Sequence, residues 1–255
     1  MAAFPLMLPG TSRPPKLVVF DLDHTLIACD ATILWTEFLY EKKIVTDPIW
    51  RQYDRDMVKS YAKGVLDIRD FCRKHAGAFR SIPEEKLHAL AQEFAKKIIA
   101  PLIFPDGKKW VKNALQANIP ACVLSASAAF IVKPIAKLFG LTDAMGIELA
   151  FKDGFCTGEI VGIPTFQEGK VERLSQRLAE AGIGFEDVLF FTDSRNDLPL
   201  AERAGYTVCV NPDAVLESSA RKNGWKVAEW KLSLRTQMTA QVDAKGVPET
   251  QTVRS

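Results

Sequence analysis

The chain has 255 residues and a formal net charge of +2, with 47% hydrophobic and 25% charged residues. This apolar content excludes a wholly disordered chain, and no apolar run approaches the ~20 residues that cross a bilayer. Lysine and arginine (33) nearly balance aspartate and glutamate (31), so charge does not indicate a nucleic-acid or membrane partner. Five cysteines without a C-x-x-C spacing favour buried thiols in a cytoplasmic protein over disulfides or a zinc site.

The two ends of the chain differ from its interior. Residues 1–13 are rich in proline and glycine, and residues 236–255 are polar without periodicity, so we expect loose termini. Between them, continuous apolar runs occupy residues 16–20, 121–124, 188–191 and 206–210. Continuous rather than alternating hydrophobicity predicts strands that are covered on both faces, as in a parallel sheet.

Helical patterns separate these runs. They lie near residues 106–118, 131–139, 169–182 and 197–205, and glycines follow several of them. Alternation of strand and helix predicts an α/β fold with a doubly wound, mainly parallel sheet. In such sheets, ligands bind outside the carboxyl ends of the strands.

Residues 36–100 interrupt the alternation, because helical patterns follow one another there without a strand. We therefore expect an all-helical cap over 36–100. It would be inserted into a catalytic core formed by residues 14–35 and 101–235.

Two local patterns add detail. Ser81 and Glu84 predict a capping box, with Ser81 as the N-cap of a helix. Its apolar stripe would span residues 87–98. Residues 151–162 place Asp-Gly and Thr-Gly between apolar pairs, which predicts a hairpin.

Charged and aromatic residues of the cap have ordinary structural interpretations. The charged side chains alternate in sign and are interpreted as a solvated face: Arg51, Asp54, Arg55, Asp56, Lys59, Lys63, Asp67 and Arg69. His75 and His88 are likewise expected on solvated helix faces. Aromatic residues at helical spacing are expected in the core: Trp35, Phe38, Tyr40, Trp50 and Tyr53.

Acidic and hydroxyl residues follow the predicted strands. Asp21 and Asp23 follow the first strand, Ser125 follows the second, and Asp193 follows the third, while Lys170 stands at a helix start. If these strands are neighbours, the side chains meet at one edge of the sheet. Gathered carboxylates repel one another unless they are protonated or bind a cation. Oxygen ligands alone favour Mg²⁺, which usually completes its shell with water and substrate phosphate.

Asp21 and Asp23 suit two different tasks. Residues i and i+2 of an extended segment point the same way. One carboxylate can act as a nucleophile and form an aspartyl-phosphate, while the other serves the leaving alcohol as general acid and then the water as general base. A metal on Asp21 would separate the pKa values of the two groups.

The segments FDLDHTL, VLSAS, GK and FTDSRND, in this order, resemble the four motifs of the haloacid dehalogenase (HAD) superfamily. Within it, residues 16–235 are similar to the phosphoserine-phosphatase-like branch, subfamily IB. The combination D-x-D-x-T with D-x-x-N-D is highly specific in this order. The resemblance implies a Rossmann-like core with a helical cap inserted between the first and second motifs.

The resemblance also implies roles for individual residues. Asp21 is expected to be the phosphorylated nucleophile and a Mg²⁺ ligand, and Asp23 the general acid/base with its main-chain carbonyl on Mg²⁺. Asp193 is expected to be the other carboxylate ligand. Lys170 would offset the charge of the nucleophile and the phosphoryl group.

Further positions are implied around the phosphate. Ser125 and the amide of Ala126 are expected to bind phosphate oxygens. Asn196 is expected to contact the substrate side, and Asp197 to support these groups from behind. The second motif reads SAS where the phosphoserine phosphatases commonly have Ser-Gly-Gly. Asp30 stands where such enzymes often have an acidic residue for the substrate amine.

The resulting hypothesis is a Mg²⁺-dependent phosphomonoesterase for a small phosphorylated metabolite, such as phosphoserine or histidinol phosphate. A phosphotransferase or mutase of the same superfamily, and a non-catalytic module that binds phospholigands, are the alternatives. The expected partner is the small substrate, without nucleic acid or membrane.

Overall fold

The computed structural model describes residues 13–232. The termini predicted to be loose therefore lie outside the described residues, apart from residue 13. The strands are β1 (Leu17–Phe20), β2 (Ala121–Ala128), β3 (Ala144–Ile147), β4 (Leu149–Lys152), β5 (Phe155–Ile160), β6 (Val188–Thr192), β7 (Tyr206–Val210) and β8 (Lys226–Ala228).

The α-helices separate the strands in the predicted manner. They are α1 (Ala31–Glu41), α2 (Ile49–Ala62), α3 (Ile68–His75), α4 (Glu84–Phe94), α5 (Pro105–Gln116), α6 (Ala129–Lys137), α7 (Glu168–Ala181), α8 (Leu198–Ala201) and α9 (Ala214–Asn223). Helix α8 ends at Ala201 and not near residue 205 as predicted, because the chain turns there, with the amides of Arg203 and Ala204 both donating to the carbonyl of Leu200 at 3.0 Å.

Six strands form one sheet in the order β3-β2-β1-β6-β7-β8, and every neighbouring pair is parallel. Strand β1 is central, since Phe20 pairs with Val123 of β2 and with Phe191 of β6. The predicted α/β class with a doubly wound, mainly parallel sheet is confirmed. The carboxyl ends of β1, β2 and β6 consequently lie side by side.

Alternate residues of β1 reach opposite faces of the sheet. Val18 and Phe20 belong to one buried cluster, whereas Leu17 and Val19 belong to another. All four side chains are buried, which explains the continuous apolar run because both faces of a parallel sheet are covered.

Strand β2 extends beyond the predicted end at residue 124. Ser125 is accommodated inside the strand because its polar groups have partners. Its carbonyl accepts a hydrogen bond from Thr165 Oγ1 at 2.5 Å, and its hydroxyl accepts one from the amide of Ser127 at 3.0 Å.

Strands β3 and β8 are absent from the predicted set. Gly146 in β3 packs so close to the start of α6 that a Cβ would lie 2.8 Å from Cα of Ala129. A strand that needs glycine at its centre gives a weak apolar signal. Strand β8 has only three residues and pairs only with β7 among the described residues.

Helices α2 to α4 and the second half of α1 lie between β1 and β2 in the segment expected to form the cap, whereas α1 begins in the predicted core. The division into core and cap stays a prediction, since one buried cluster contains both segments. In that cluster Trp35 of α1 packs edge-on against Phe94 of α4 and Phe130 of α6, with ring centroids 5.4 and 5.6 Å apart.

The predicted hairpin is present as the antiparallel pair β4 and β5. It contacts the start of α4, where the amide of Glu84 donates to the carbonyl of Gly154 at 2.8 Å.

The prediction of a capping box at Ser81 and Glu84 is wrong. The N-cap is Pro83, which bridges to Phe155 of β5, and Ser81 caps nothing. The hairpin supplies a partner for the orphan amide that Ser81 was expected to satisfy.

The prediction that the charged and histidine side chains of the cap are exposed to solvent is wrong at two positions. Asp54 of α2 is 4% exposed and His75 of α3 is 5% exposed. In contrast, the side chain of His88 is 47% exposed, as expected.

Within residues 13–232, none of the helices combines the length and apolarity that a membrane crossing requires.

Candidate active site

The carboxyl ends of β1 and β6 bring the first and fourth motifs together. The amide of Asp21 donates to the carbonyl of Phe191 at 2.9 Å, which fixes the residue after β1 beside the end of β6. Across the same gap, Thr25 Oγ1 lies 3.5 Å from Asp193 Oδ1. The structure therefore places the Asp21 and Asp193 segments at one edge of the sheet.

Lys170 joins this edge from the first turn of α7. Its side chain is 1% exposed, and its Nζ lies 2.8 Å from Asp21 Oδ1 and 2.7 Å from Asp197 Oδ1. Burial opposes the charge on the ammonium, but Asp197 and Asp21 outweigh that effect and raise the lysine pKa above its usual value. The lysine thus carries its charge in a buried position.

Asp197 connects Lys170 to the end of β6. Thr192 Oγ1 at the end of β6 donates to Asp197 Oδ2 at 2.7 Å. Burial raises the pKa of Asp197 to about 6, although Lys170 acts in the opposite direction. Asp197 therefore has the location expected for a residue that supports the lysine.

Asp23 is held by three donors. Its Oδ1 accepts from the amide of Ala31 at 2.6 Å, and its Oδ2 accepts from Ser127 Oγ at 2.8 Å and Ser125 Oγ at 3.1 Å. Burial raises the pKa of Asp23 to about 6, and Asp30 adds to the increase. A carboxyl group with this pKa can exchange a proton near neutral pH, as a general acid/base must.

Sequence reasoning missed Ser127. The SAS motif contains both serines, and alternation within β2 places Ser125 and Ser127 on the same side. The structure orients both hydroxyls toward Asp23. Ala126, expected to offer its amide to phosphate, is half-buried and lines a cavity beside this strand end.

Asn196 connects the site to helix α2. Its Nδ2 donates to the carbonyl of Tyr61 at 3.0 Å, and its Oδ1 accepts from Gln167 Nε2 at 3.1 Å. Gln167 also donates to the carbonyl of Gly64 at 3.2 Å. These contacts hold the end of α2 against the edge of the sheet. No sequence pattern indicates that Tyr61 belongs to the site. Gln167 is indicated only by its proximity to Lys170 in the sequence.

Gln167 and Tyr61 show how closely α2 approaches the acidic groups. Gln167 has φ 48° and ψ −124°, a backbone conformation that side-chain-bearing residues rarely adopt. Burial raises the pKa of Tyr61 well above its ordinary value, with further increases from Asp197, Asp21 and Asp193. The face of α2 that carries Tyr61 therefore lies over the acidic edge of the sheet.

Negative charge exceeds positive charge at this edge. Burial raises the pKa values of both Asp21 and Asp193, and the charge of Asp21 raises that of Asp193 further. A divalent cation beside these carboxylates would relieve the repulsion. The described residues hold no group of three or more His, Cys, Asp or Glu side chains placed to bind a metal. The carboxylates at this edge therefore fit an ion that binds two carboxylates and completes its coordination shell with carbonyl, water and phosphate oxygens.

Asp30 lies at the same end of the sheet. It is the N-cap of α1 and accepts from the amide of Ile33 at 3.0 Å. Burial raises its pKa, and the charge of Asp21 contributes to the increase. The structure thus places Asp30 near the expected nucleophile, on the side from which α1 enters the cap segment.

Comparisons with known proteins identify the family of the chain. A family model described as haloacid dehalogenase-like hydrolase matches residues 18–202. The chain is 36% identical over 220 residues to a histidinol-phosphatase of Neisseria meningitidis, covering 85% of this chain and 99% of the relative. It is 27% identical over 239 residues to a phosphoserine phosphatase of Mycobacterium tuberculosis, covering 90% and 77%.

A solved structure shows the same fold. A protein of unknown function from Bordetella pertussis superposes with a TM-score of 0.75 at 32% identity. The match covers 83% of this chain and 96% of that one. The similarity therefore extends over most of both chains.

Proposed function

The chain belongs to the haloacid dehalogenase-like hydrolase family, and from this premise we propose that it hydrolyses a small phosphomonoester by way of an aspartyl-phosphate on Asp21. The chain is a phosphatase, as the family and the relatives named phosphatases indicate. The observation that carries the proposed mechanism is the buried Asp21–Lys170–Asp197 arrangement beside Asp23.

We assign each step of the reaction to a residue of this site. A carboxylate oxygen of Asp21 attacks phosphorus, and the bond to the leaving oxygen breaks as Asp23 donates its proton to that oxygen. Asp23, now ionised, takes a proton from a water molecule that attacks the phosphorus of the aspartyl-phosphate. The bond from Asp21 to phosphorus then breaks, and inorganic phosphate leaves. Lys170 offsets the negative charge of Asp21 and of the phosphoryl oxygens throughout.

Family members of this kind are generally metal-dependent, and the ion we propose here is Mg²⁺. Asp21, Asp193 and the main-chain carbonyl of Asp23 would hold it. When bound, the ion supplies charge stabilisation for the transferring phosphoryl group. The proposed phosphate site adds Ser125 and the amide of Ala126.

We propose histidinol phosphate or phosphoserine as the type of substrate. The Neisseria meningitidis relative named histidinol-phosphatase supports the first, and the Mycobacterium tuberculosis relative named phosphoserine phosphatase supports the second. The helical segment over 36–100 would act as a cap that covers the substrate and excludes water.

The test is release of inorganic phosphate from a panel of phosphomonoesters with Mg²⁺ present. Asp21→Asn should abolish turnover, because the amide is a poor nucleophile. Asp153→Asn is a matched control: Asp153 is exposed in the β4–β5 turn with φ 51°, which asparagine also tolerates. Turnover retained by Asp21→Asn would contradict the mechanism.

The phosphotransferase alternative makes a different prediction in the same assay. A transferase would pass the phosphoryl group from Asp21 to a second alcohol. Adding an acceptor such as glycerol would then produce phosphorylated acceptor in place of most of the free phosphate. We expect free phosphate to remain the main product.

A further inference from the structure

The first turn of α1 contacts both carboxylate oxygens of Asp23, the proposed general acid. The amide of Ala31 donates directly to Oδ1 at 2.6 Å. Contact with Oδ2 is indirect, since Ser127 Oγ donates to Oδ2 at 2.8 Å and Thr32 Oγ1 lies 3.1 Å from Ser127 Oγ. Thr32, which the proposed catalytic steps do not use, is thus connected to the general acid through one intervening hydroxyl group.

The direction of this hydrogen-bonded chain follows from its protons. A serine hydroxyl has one proton to donate and two lone pairs that accept. Because Ser127 donates its proton to Asp23, its contact with Thr32 is a hydrogen bond in which the Thr32 hydroxyl donates. A donor behind Ser127 polarises the Ser127 O–H group and strengthens its hydrogen bond to the carboxylate.

The contact between Thr32 and Ser127 is sheltered from bulk water. Ser127 is 5% exposed, and Thr32 lines a cavity of about 20 Å³, which is room for about one water molecule. The other walls of this cavity are His75 and apolar side chains: Phe71, Cys72, Phe79, Ala126, Ala128, Phe130, Ile131 and Leu149. Bulk water therefore has little room to replace Thr32 as the donor to Ser127.

The start of α1 does not require the Thr32 hydroxyl. The N-cap of this helix is Asp30, whose carboxylate accepts from the amide of Ile33 at 3.0 Å. Thr32 stands two residues later, inside the first turn, where a β-branched residue gives a helix no advantage. Its hydroxyl contacts Ser127 of β2, so its observed hydrogen bond serves the site and not the helix.

A general acid has to lie within hydrogen-bond reach of the leaving oxygen. We propose that Thr32 is a positioning residue, which fixes the direction of the Ser127 hydroxyl and thereby holds Asp23 where it protonates the leaving oxygen. This inference rests on the proposed phosphatase function. With Ser127 held as a donor, the carboxyl proton of Asp23 is not used in a hydrogen bond to Ser127 and stays available to the leaving group.

This role predicts a loss of activity that depends on the leaving group. Propyl phosphate releases an alkyl oxygen that needs a proton, whereas p-nitrophenyl phosphate releases a nitrophenolate that leaves without one. With Mg²⁺ present, Thr32→Val should lower kcat/KM about fivefold for propyl phosphate and less than about twofold for p-nitrophenyl phosphate. A merely structural role would lower both values equally, and equal losses would overturn the proposal.

A second comparison tests whether Thr32 acts through Ser127. In the Ser127→Ala variant there is no hydroxyl for Thr32 to orient, so adding Thr32→Val should change kcat/KM for propyl phosphate by less than about twofold. Thr32→Ser keeps a hydroxyl and should remain within about twofold of the wild-type value. Additive losses in the double variant, or a loss in Thr32→Ser equal to that in Thr32→Val, would overturn the proposal.

Thr46→Val is the matched control, because Thr46 is exposed between α1 and α2. It should leave kcat/KM unchanged with both esters. Thr32→Ala provides a second variant without the hydroxyl should Thr32→Val fold poorly, because alanine favours a helix, and it should show the same dependence on the leaving group. If the wild-type protein releases phosphate from neither ester, the proposed function fails. If it hydrolyses both and the Thr32 variants lose equally with each, the positioning role alone fails.

Discussion

The Nζ of Lys170 lies between two buried carboxylates, 2.8 Å from Asp21 Oδ1 and 2.7 Å from Asp197 Oδ1. One of these carboxylates is the proposed nucleophile, and the other is fixed by the Thr192 hydroxyl. Because the lysine is buried with both, its charge is screened little by solvent. In the proposed mechanism, the same lysine would offset the charge of an incoming phosphate.

Replacing Lys170 by methionine should harm both activity and stability. It leaves Asp21 and Asp197 buried without their cation, so we expect kcat/KM to fall by about 10²–10³-fold and the free energy of unfolding to drop by about 3–5 kcal/mol. Phosphate release and urea unfolding of the metal-free protein measure the two effects. Lys222→Met on exposed α9 is the control, and an unaltered kcat/KM for Lys170→Met would refute the role.

Removing the Ser127 hydroxyl should weaken Asp23 as the proposed general acid. Ser127→Ala deletes the 2.8 Å hydrogen bond to Asp23 and the contact with Thr32. We expect kcat to fall about tenfold while the fold is retained, because the change is small and Ser125 still contacts Asp23. Steady-state kinetics with propyl phosphate provide the measurement. Ser219→Ala on α9 is the comparison, and equal kcat values for the two variants would count against the assignment.

Binding of Mg²⁺ should stabilise the folded chain through Asp193. A ligand that binds the native state alone raises Tm with its concentration. We therefore expect Tm to increase with added MgCl₂, and EDTA to reverse the increase and abolish turnover. Asp193→Asn should suppress the Tm response. A response of equal size in that variant would show that Mg²⁺ binds elsewhere.

The stability of Asp54→Asn should depend on pH in one direction. Burial raises the pKa of Asp54 from 3.8 to about 7. Between these values the folded state holds a proton that the unfolded state releases, so the wild-type chain loses stability as pH rises from about 4 to 7.

Asparagine does not titrate, so Asp54→Asn escapes this loss. Its unfolding free energy relative to wild type should rise across that window, by a total on the order of 4 kcal/mol, and level off above about pH 7. Urea unfolding at several pH values measures this difference. Asp56→Asn should show no comparable trend, and a flat difference for Asp54→Asn would contradict the raised pKa.

Two helix starts test the corrected capping assignment. Asp67 accepts from the amides of Arg69 and Asp70, both at 3.0 Å, as the N-cap of α3. Asp67→Ala should therefore cost about 1 kcal/mol of stability. Ser81 caps nothing, so Ser81→Ala should change stability by less than ~0.5 kcal/mol. A loss for Ser81→Ala as large as that for Asp67→Ala would restore the capping box.

The main fold followed from local patterns. The apolar runs at β1, β6 and β7 are continuous because a parallel sheet buries both faces of its strands. Local patterns did not predict strand β3 or the capping of α4. Strand β3 depends on the close packing of Gly146 on Ala129, and the first turn of α4 depends on the hydrogen bond from Glu84 to Gly154. These contacts come from residues distant in the sequence, which periodicity does not report.

The sequence by itself determined the family, the four central strands of the sheet and the identities of the acidic, hydroxyl and lysine side chains at the strand ends, since their order and spacing are local properties. Only the tertiary structure decided that Ser127 contacts Asp23, that Tyr61 and Gln167 hold α2 over the site, and that Asp54 and His75 are buried. In a charged helix, the sequence pattern gives the side chains that share a face. Which face is covered depends on packing, and that packing removes Asp54 from solvent.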